Sequence, residues 1–382
     1  MRQKAMRGVM HLAAAGLCSS GATSMRLRCG LLSQPAQPER RTNMQVEWST
    51  TISEIPVALA WSDDGRWLAA GGADGEVFVV DAVGLCEVTR FAAHTNGLFQ
   101  LAWQPSGNRL LTSGQDGCAR VWDLSDNDAR PVGEVRFAQD WVEHCGWQPS
   151  GKSFAAAAGR DVKVLDADGA LQRDYRFESS TVAALAWRPQ GAQLAAAGYQ
   201  GVMLFSPLDA RQPPKALPWN GSMVSMAWRP DGSVIACGCQ DSSVHFWRLR
   251  EGTEAYMSGY ETKPRHLVWS RDGEWLATSG GSDVTLWRFR KSSPEGTSPT
   301  NLRRHRAPLQ ALAFAPRGRR LISGCAGGWV CLWDQFEDFT PPTEALQFSA
   351  GIEALAWQPR ATGGMFAVGD AAGTVQLLVT AK

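Results

Sequence analysis

From residue 58 the chain reads ALAWSDDGRWLAAGGADGEVFVVD: an apolar run closing on tryptophan, a polar turn, a second apolar run, a D-G turn and a third apolar run. Short apolar runs bounded by Gly, Asp, Ser and Pro predict strands, and a D-G pair between two of them predicts a tight hairpin. The pattern returns as QLAWQPSGNRLLTSGQDGCARVWD, HCGWQPSGKSFAAAAGRDVKVLD, ALAWRPQGAQLAAAGYQGVMLF and SMAWRPDGSVIACGCQDSSVHFW. It then returns as HLVWSRDGEWLATSGGSDVTLW, ALAFAPRGRRLISGCAGGWVCLW and ALAWQPRATGGMFAVGDAAGTVQLL. Eight units are thus anchored on Trp61, Trp103, Trp147, Trp187, Trp228, Trp269, Phe314 and Trp357, at intervals of 40 to 45 residues. Each predicts three strands, with a fourth, weaker one in the linker to the next unit.

Two positions within the unit predict how the strands are arranged. A glycine four residues after the anchor (Gly65, Gly107, Gly151, Gly191, Gly232, Gly273, Gly318) serves the first turn, and Gly363 takes the role in the longer last unit. The residue just before the anchor reads Ala60, Ala102, Gly146, Ala186, Ala227, Val268, Ala313 and Ala356. Successive side chains of a strand face opposite sides, so the aromatic packs on one neighbouring sheet and the small residue faces the other. Near-uniform small side chains predict sheets crowded together where they converge on an axis, which an open solenoid does not provide.

These residues resemble the WD40 repeat family over residues 44–382, although Trp122-Asp123 and Trp333-Asp334 are the only W-D pairs and G-H never occurs. The resemblance implies an all-β fold, a single closed β-propeller of eight four-stranded blades, with seven as the alternative count. It also implies that residues 44–50 (MQVEWST) supply the outer strand of the last blade, closing the ring. The family's hydrogen-bonded network is matched in full in the second unit by His94, Thr112 (or Ser113), Asp116 and Trp122. Unit seven keeps His305, Ser323 and Trp333 but has Gly327 in place of the aspartate. The expected function is a non-catalytic platform for a protein or peptide partner, a monomeric propeller within a larger assembly.

Composition changes the picture little. The 38 Lys and Arg against 37 Asp and Glu give a net charge of +1, so no polyanionic partner is implied. Residues 1–43 hold seven of the basic residues and one acid, and read as a leader: a disordered or targeting segment, or a mis-assigned start before Met44. The expected location is cytoplasmic unless that leader is a genuine targeting segment. No membrane span is expected. Nine cysteines at irregular spacing predict no disulfide framework, and Cys237 and Cys239, a lone C-x-C, predict two small buried residues rather than a metal site. No cofactor, metal or catalytic arrangement is predicted: G-x-S-x-G, the phosphate-binding loop, H-E-x-x-H and paired C-x-x-C are all missing from the sequence.

The candidate binding residues come from the loops leading into the inner strands. Trp141 and Trp219 lie in or beside such loops, as does Tyr260, and aromatics borne on loops with arginine nearby are the usual makings of a binding hot spot. Three and four residues before the anchors most units carry small or aliphatic residues, but unit three has Glu143 and His144, unit six has Arg265 and His266, and Gln100 and Glu353 stand at the same places elsewhere. Polar groups near an axis must be paired or wet, so they predict either channel water with mutual ion pairs or a small-molecule or metal site at the channel mouth. A further alternative is an anionic or nucleic-acid ligand on the basic linker 288–308 and the arginines that follow to Arg320, although nucleic acid is not the expected partner.

Overall fold

The computed structural model describes residues 43–380, apart from 139–140, 210, 291–293, 295–296, 339 and 361–363. The leader, Lys291 and Gly363 therefore lie outside the described residues. The described residues belong to the compact unit Arg40–Lys382. Its described residues form thirty strands, from Gln45–Thr51 to Thr374–Val379, and no helix.

Each repeat folds as an up-and-down run of antiparallel strands. In the second unit the order is Leu98–Trp103, Arg109–Gly114, Cys118–Asp123 and Arg130–Arg136, from inner to outer. Positive φ is needed at the first turn, and Gly65, Gly151, Gly232, Gly273 and Gly318 supply it at +67° to +74°. In unit two Ser106, at φ +56°, takes that conformation instead of Gly107.

The strands hydrogen-bond into seven sheets, six of four strands and one of six. The seven sheets match the alternative count of seven: eight repeats give seven sheets because units four and five are joined in the six-stranded one. There Leu194–Phe205 contains the second and third strands of unit four, and Lys215–Trp228 runs on from the outer strand of unit four into the inner strand of unit five. The eight repeats persist as packing units: the described residues hold eight hydrophobic clusters, each built from two successive repeats. Val77 and Val79 pack with Trp103 and Leu110, and so on round the ring to Ala367, Val375 and Leu377 against Trp61, Leu68 and Phe78.

A chain of indole hydrogen bonds repeats with the same period. Trp103 Nε1 donates to the Ala60 carbonyl of the preceding unit at 3.1 Å, Trp147 to Ala102 at 3.1 Å, Trp187 to Gly146 at 3.0 Å and Trp228 to Ala186 at 3.2 Å. Trp269 reaches Ala227 at 3.4 Å, Trp357 reaches Ala313 at 2.9 Å, and Trp61 closes the circle on Ala356 at 3.0 Å. Phe314 breaks the chain because it has no N–H. The small residues before the anchors thus lend their carbonyls to the next unit, but their side chains are only half-buried, and a Cβ built on Gly146 meets nothing within 4 Å. Apart from Gly146, they nevertheless pack against the hydrophobic clusters that successive repeats share.

At the seam between the two ends of the chain, Gln45–Thr51 pairs antiparallel with Thr374–Val379, Gln45 opposite Val379 and Thr51 opposite Thr374. Antiparallel order puts the loops leading into the inner strands and the turns between second and third strands at the same end of each sheet. That end is the rim carrying the candidate site.

Candidate functional site

The second unit contains a saturated polar network beneath the rim. The Asp116 carboxylate receives His94 Nδ1–H at 2.8 Å, which fixes the neutral tautomer and leaves Nε2 to accept from the Thr112 hydroxyl at 2.9 Å. Thr112 Oγ1 in turn accepts from Trp122 Nε1 at 3.0 Å. Arg120 donates to Asp116 at 2.7 Å and to Glu134 at 2.8 Å. Burial works to raise the Asp116 carboxyl, yet hydrogen bonds from His94 and Arg120 hold it below its ordinary value. Burial likewise keeps His94 below the usual imidazole value, against the pull of Asp116.

Tyr260 and Trp219 are placed differently from the sequence expectation. Both stand nine residues before their anchors, the same offset as His94 and His305, and both occupy the histidine's slot. Trp287 Nε1 donates to the Tyr260 hydroxyl at 2.7 Å, Tyr260 bonds Thr278 Oγ1 at 2.9 Å, and Thr278 donates to the Thr285 carbonyl at 3.1 Å. Burial pushes the Tyr260 phenol up to about 12, these bonds notwithstanding. Tyr260 is therefore engaged in the core network. Trp219 lies within Lys215–Trp228 and is half-buried, stacked on His245 with ring centroids 3.9 Å apart. His245 is edge-on to Trp247 at 4.4 Å. Cys237 replaces the network threonine in this unit, so neither Trp219 Nε1 nor Trp247 Nε1 has a hydrogen-bond partner.

The polar residues at the channel mouth act between neighbours. Gln100 Oε1 accepts from the Cys145 amide at 3.0 Å, and Ser225 donates to the Pro264 carbonyl at 2.7 Å. His144 hydrogen-bonds the Val182 backbone, while burial holds its imidazole down at about 4. His266 is lowered by burial and then by Arg265. Where these bonds are formed they tie one unit to the backbone of the next, and no ion pair joins Glu143, His144, Arg265, His266 and Glu353 to one another among the described residues. No group of three or more His, Cys, Asp or Glu there is placed to hold a metal ion. Arg265 is exposed and borders a shallow hollow with Lys263, Glu261 and Gln310.

Trp141 is the candidate aromatic that stays open. It is 55% exposed, tilted on Phe99 at 5.8 Å, and walls a hollow of about 490 Å³ with Thr95, Asn96, Gln115, Arg136 and the Asp116–Arg120 pair. Two rim aromatics escaped the sequence reasoning, Tyr256 (63% exposed) and Tyr199 (45%), with Tyr256 6.3 Å from Trp219. Their signal was weak: one sits on an outer strand and the other at a hairpin tip, where exposed residues are common. On the basic surface, Glu274 binds Arg288 and Arg319 and Asp283 binds Arg303. Arg304 lies over the Trp329 ring at 4.0 Å. Most of that run is thus occupied within the fold. No helix among the described residues is long and apolar enough to cross a membrane.

The arrangement defines a β-propeller built from sequence repeats. The family model "WD domain, G-beta repeat" matches residues 51–81, 85–123, 213–248 and 296–334, and these segments are WD40 repeats. It is similar to "Telomerase protein component 1" of Rattus norvegicus, 24% identical over 82% of this chain and 12% of that protein. It is 28% identical to "Anaphase-promoting complex subunit cdh1" of Dictyostelium discoideum over 81% of this chain and 41% of that one. "COMPASS component SWD1" of Saccharomyces cerevisiae is 30% identical over 28% of this chain and 26% of its own length. The chain thus spans well under half of each of these relatives. Among solved structures, the computationally designed Ika8 protein superimposes with a TM-score of 0.73 at 18% identity, covering 88% of this chain and 99% of that one, a likeness of fold alone.

Proposed function

We propose that this propeller is a non-catalytic scaffold that holds a protein or peptide partner on its rim, where the second and third units meet. The observation that supports this most is the exposed Trp141 indole beside the hollow of about 490 Å³, standing on a unit locked by a saturated ion-pair network. A rigid aromatic loses little entropy on binding, and buried tryptophans rank among the strongest hot spots of interfaces. The names of two relatives point the same way, one being a subunit of the anaphase-promoting complex and the other a component of COMPASS. Of the seven rim residues singled out from the sequence, Trp141 and Arg265 offer exposed side chains, Glu143 and His266 are partly covered, and His144, Trp219 and Tyr260 are engaged within the fold.

The test is quantitative affinity capture by wild type and Trp141→Ala. Loss of at least tenfold in a co-purifying protein, about 1.4 kcal/mol, with an unchanged melting temperature, is the expected result. Undiminished capture would move the interface elsewhere on the ring.

A further inference from the structure

We infer that the segment docking beside Trp141 is acidic: an extended peptide whose carboxylate meets Arg136 while an adjacent apolar side chain lies on the Trp141 indole. This rests on the rim being the docking face.

The charged groups of the hollow differ in how much bonding capacity they have left. The carboxylate in the hollow, Asp116, is already saturated. Oδ1 takes His94 Nδ1–H at 2.8 Å and the Cys118 amide at 3.3 Å, and Oδ2 takes Arg120 at 2.7 Å and the Thr95 amide at 3.4 Å. Its side chain is 8% exposed, so it has little left to offer a cationic ligand. Arg120 is equally committed, to Asp116, Glu134 and the Ala93 carbonyl.

Arg136 differs. Its side chain is 63% exposed, its NH1 bond to the Asp116 carbonyl is long at 3.3 Å, and its contact with Glu134 is 3.5 Å. Exposed pairs of that length contribute little. A guanidinium fork so placed favours a carboxylate bound through two parallel N–H groups. Around it the hollow offers the Asn96 and Gln115 amides, each able to donate as well as accept, and the indole face. Arg136 is therefore the charged group of the hollow that is left for a ligand, and the aromatic wall adds an apolar contact next to that charge.

The experiment selects twelve-residue random peptides displayed on phage against the full chain, then titrates the selected peptides. The expected pool is enriched in Asp or Glu next to apolar residues, and its peptides lose at least tenfold in affinity with Arg136→Gln and with Trp141→Ala. Selection on Arg136→Glu should yield Lys or Arg in place of the acids. Melting temperatures check that each variant folds, and phosphoserine-for-Glu peptides and a twelve-nucleotide single strand serve as comparison probes. A pool that depends on Trp141 but shows no acidic enrichment and ignores Arg136→Gln overturns the acidic partner while the rim survives. Tighter binding of the phosphopeptides or the oligonucleotide also overturns it. A pool that ignores Trp141→Ala, or no pool at all, overturns the rim reading and this inference together.

Discussion

The Asp116 side chain closes a chain of hydrogen bonds running from Trp122 through Thr112 and His94 to its own carboxylate. Removing it with Asp116→Ala leaves the His94 N–H without an acceptor and Arg120 short of its buried counter-charge, a loss of about 1–3 kcal/mol that chemical denaturation would detect. An unchanged midpoint would contradict the network. Unit seven poses the reverse case, because Gly327 stands where Asp116 would and His305 Nδ1 has no partner. Burial, aided by Arg304, holds His305 down at about 4. Gly327→Asp should supply the acceptor and raise the His305 value, as read by NMR titration. A Cβ there lies 3.3 Å from the Ala307 methyl, which must yield by a few tenths of an ångström, so the gain in stability should stay below about 1 kcal/mol. The two histidine networks could be read from sequence because histidine, hydroxyl and tryptophan recur at fixed offsets. Tyr260 and Trp219 share the histidine's nine-residue offset, but a change of residue type disguised them as surface aromatics.

Among the strands, the turns and inner anchors were legible because glycine and aromatic positions repeat with the unit. The shared sheet of units four and five was not. Pro218-Trp219-Asn220-Gly221 has the composition of a turn, yet the structure carries it within one fourteen-residue strand, with Pro218 opposite Gly201 on the outer strand. An outer strand tolerates proline because its N–H side needs no ladder partner. The same edge logic governs Gln45–Thr51, which covers Thr374–Val379 along six paired positions. Deleting residues 43–51 should bare that strand, lower the melting temperature and promote association through the open edge. Deleting residues 1–42 should change neither, and a closed ring does not allow the two truncations to be equally stable.

Across the whole molecule the five described histidines, His94, His144, His245, His266 and His305, share one electrostatic property. Each is held below the ordinary imidazole value, with burial the largest cause; Asp116 and Glu254 oppose it at His94 and His245, and Arg265 and Arg304 reinforce it at His266 and His305. An unfolded chain takes up these protons near pH 6.5, whereas His144 and His305 in the fold wait until about 4. Between those values the unfolded state binds more protons than the native one, so stability is complete above about pH 6.5 and falls as pH falls. The slope approaches about 1.4 kcal/mol per pH unit for each fully buried group. Ordinary carboxylates titrate near pH 4 and contribute little above pH 5, which leaves a window that the histidines dominate. Urea midpoints measured from pH 7.5 to 5 should therefore be level down to about 6.5 and then decline, and His144→Gln, whose amide can still meet the Val182 backbone, should reduce the decline. A midpoint constant from pH 7.5 to 5 would show that the imidazoles are not buried in neutral form and that the ring's inner face is wetter than its geometry indicates.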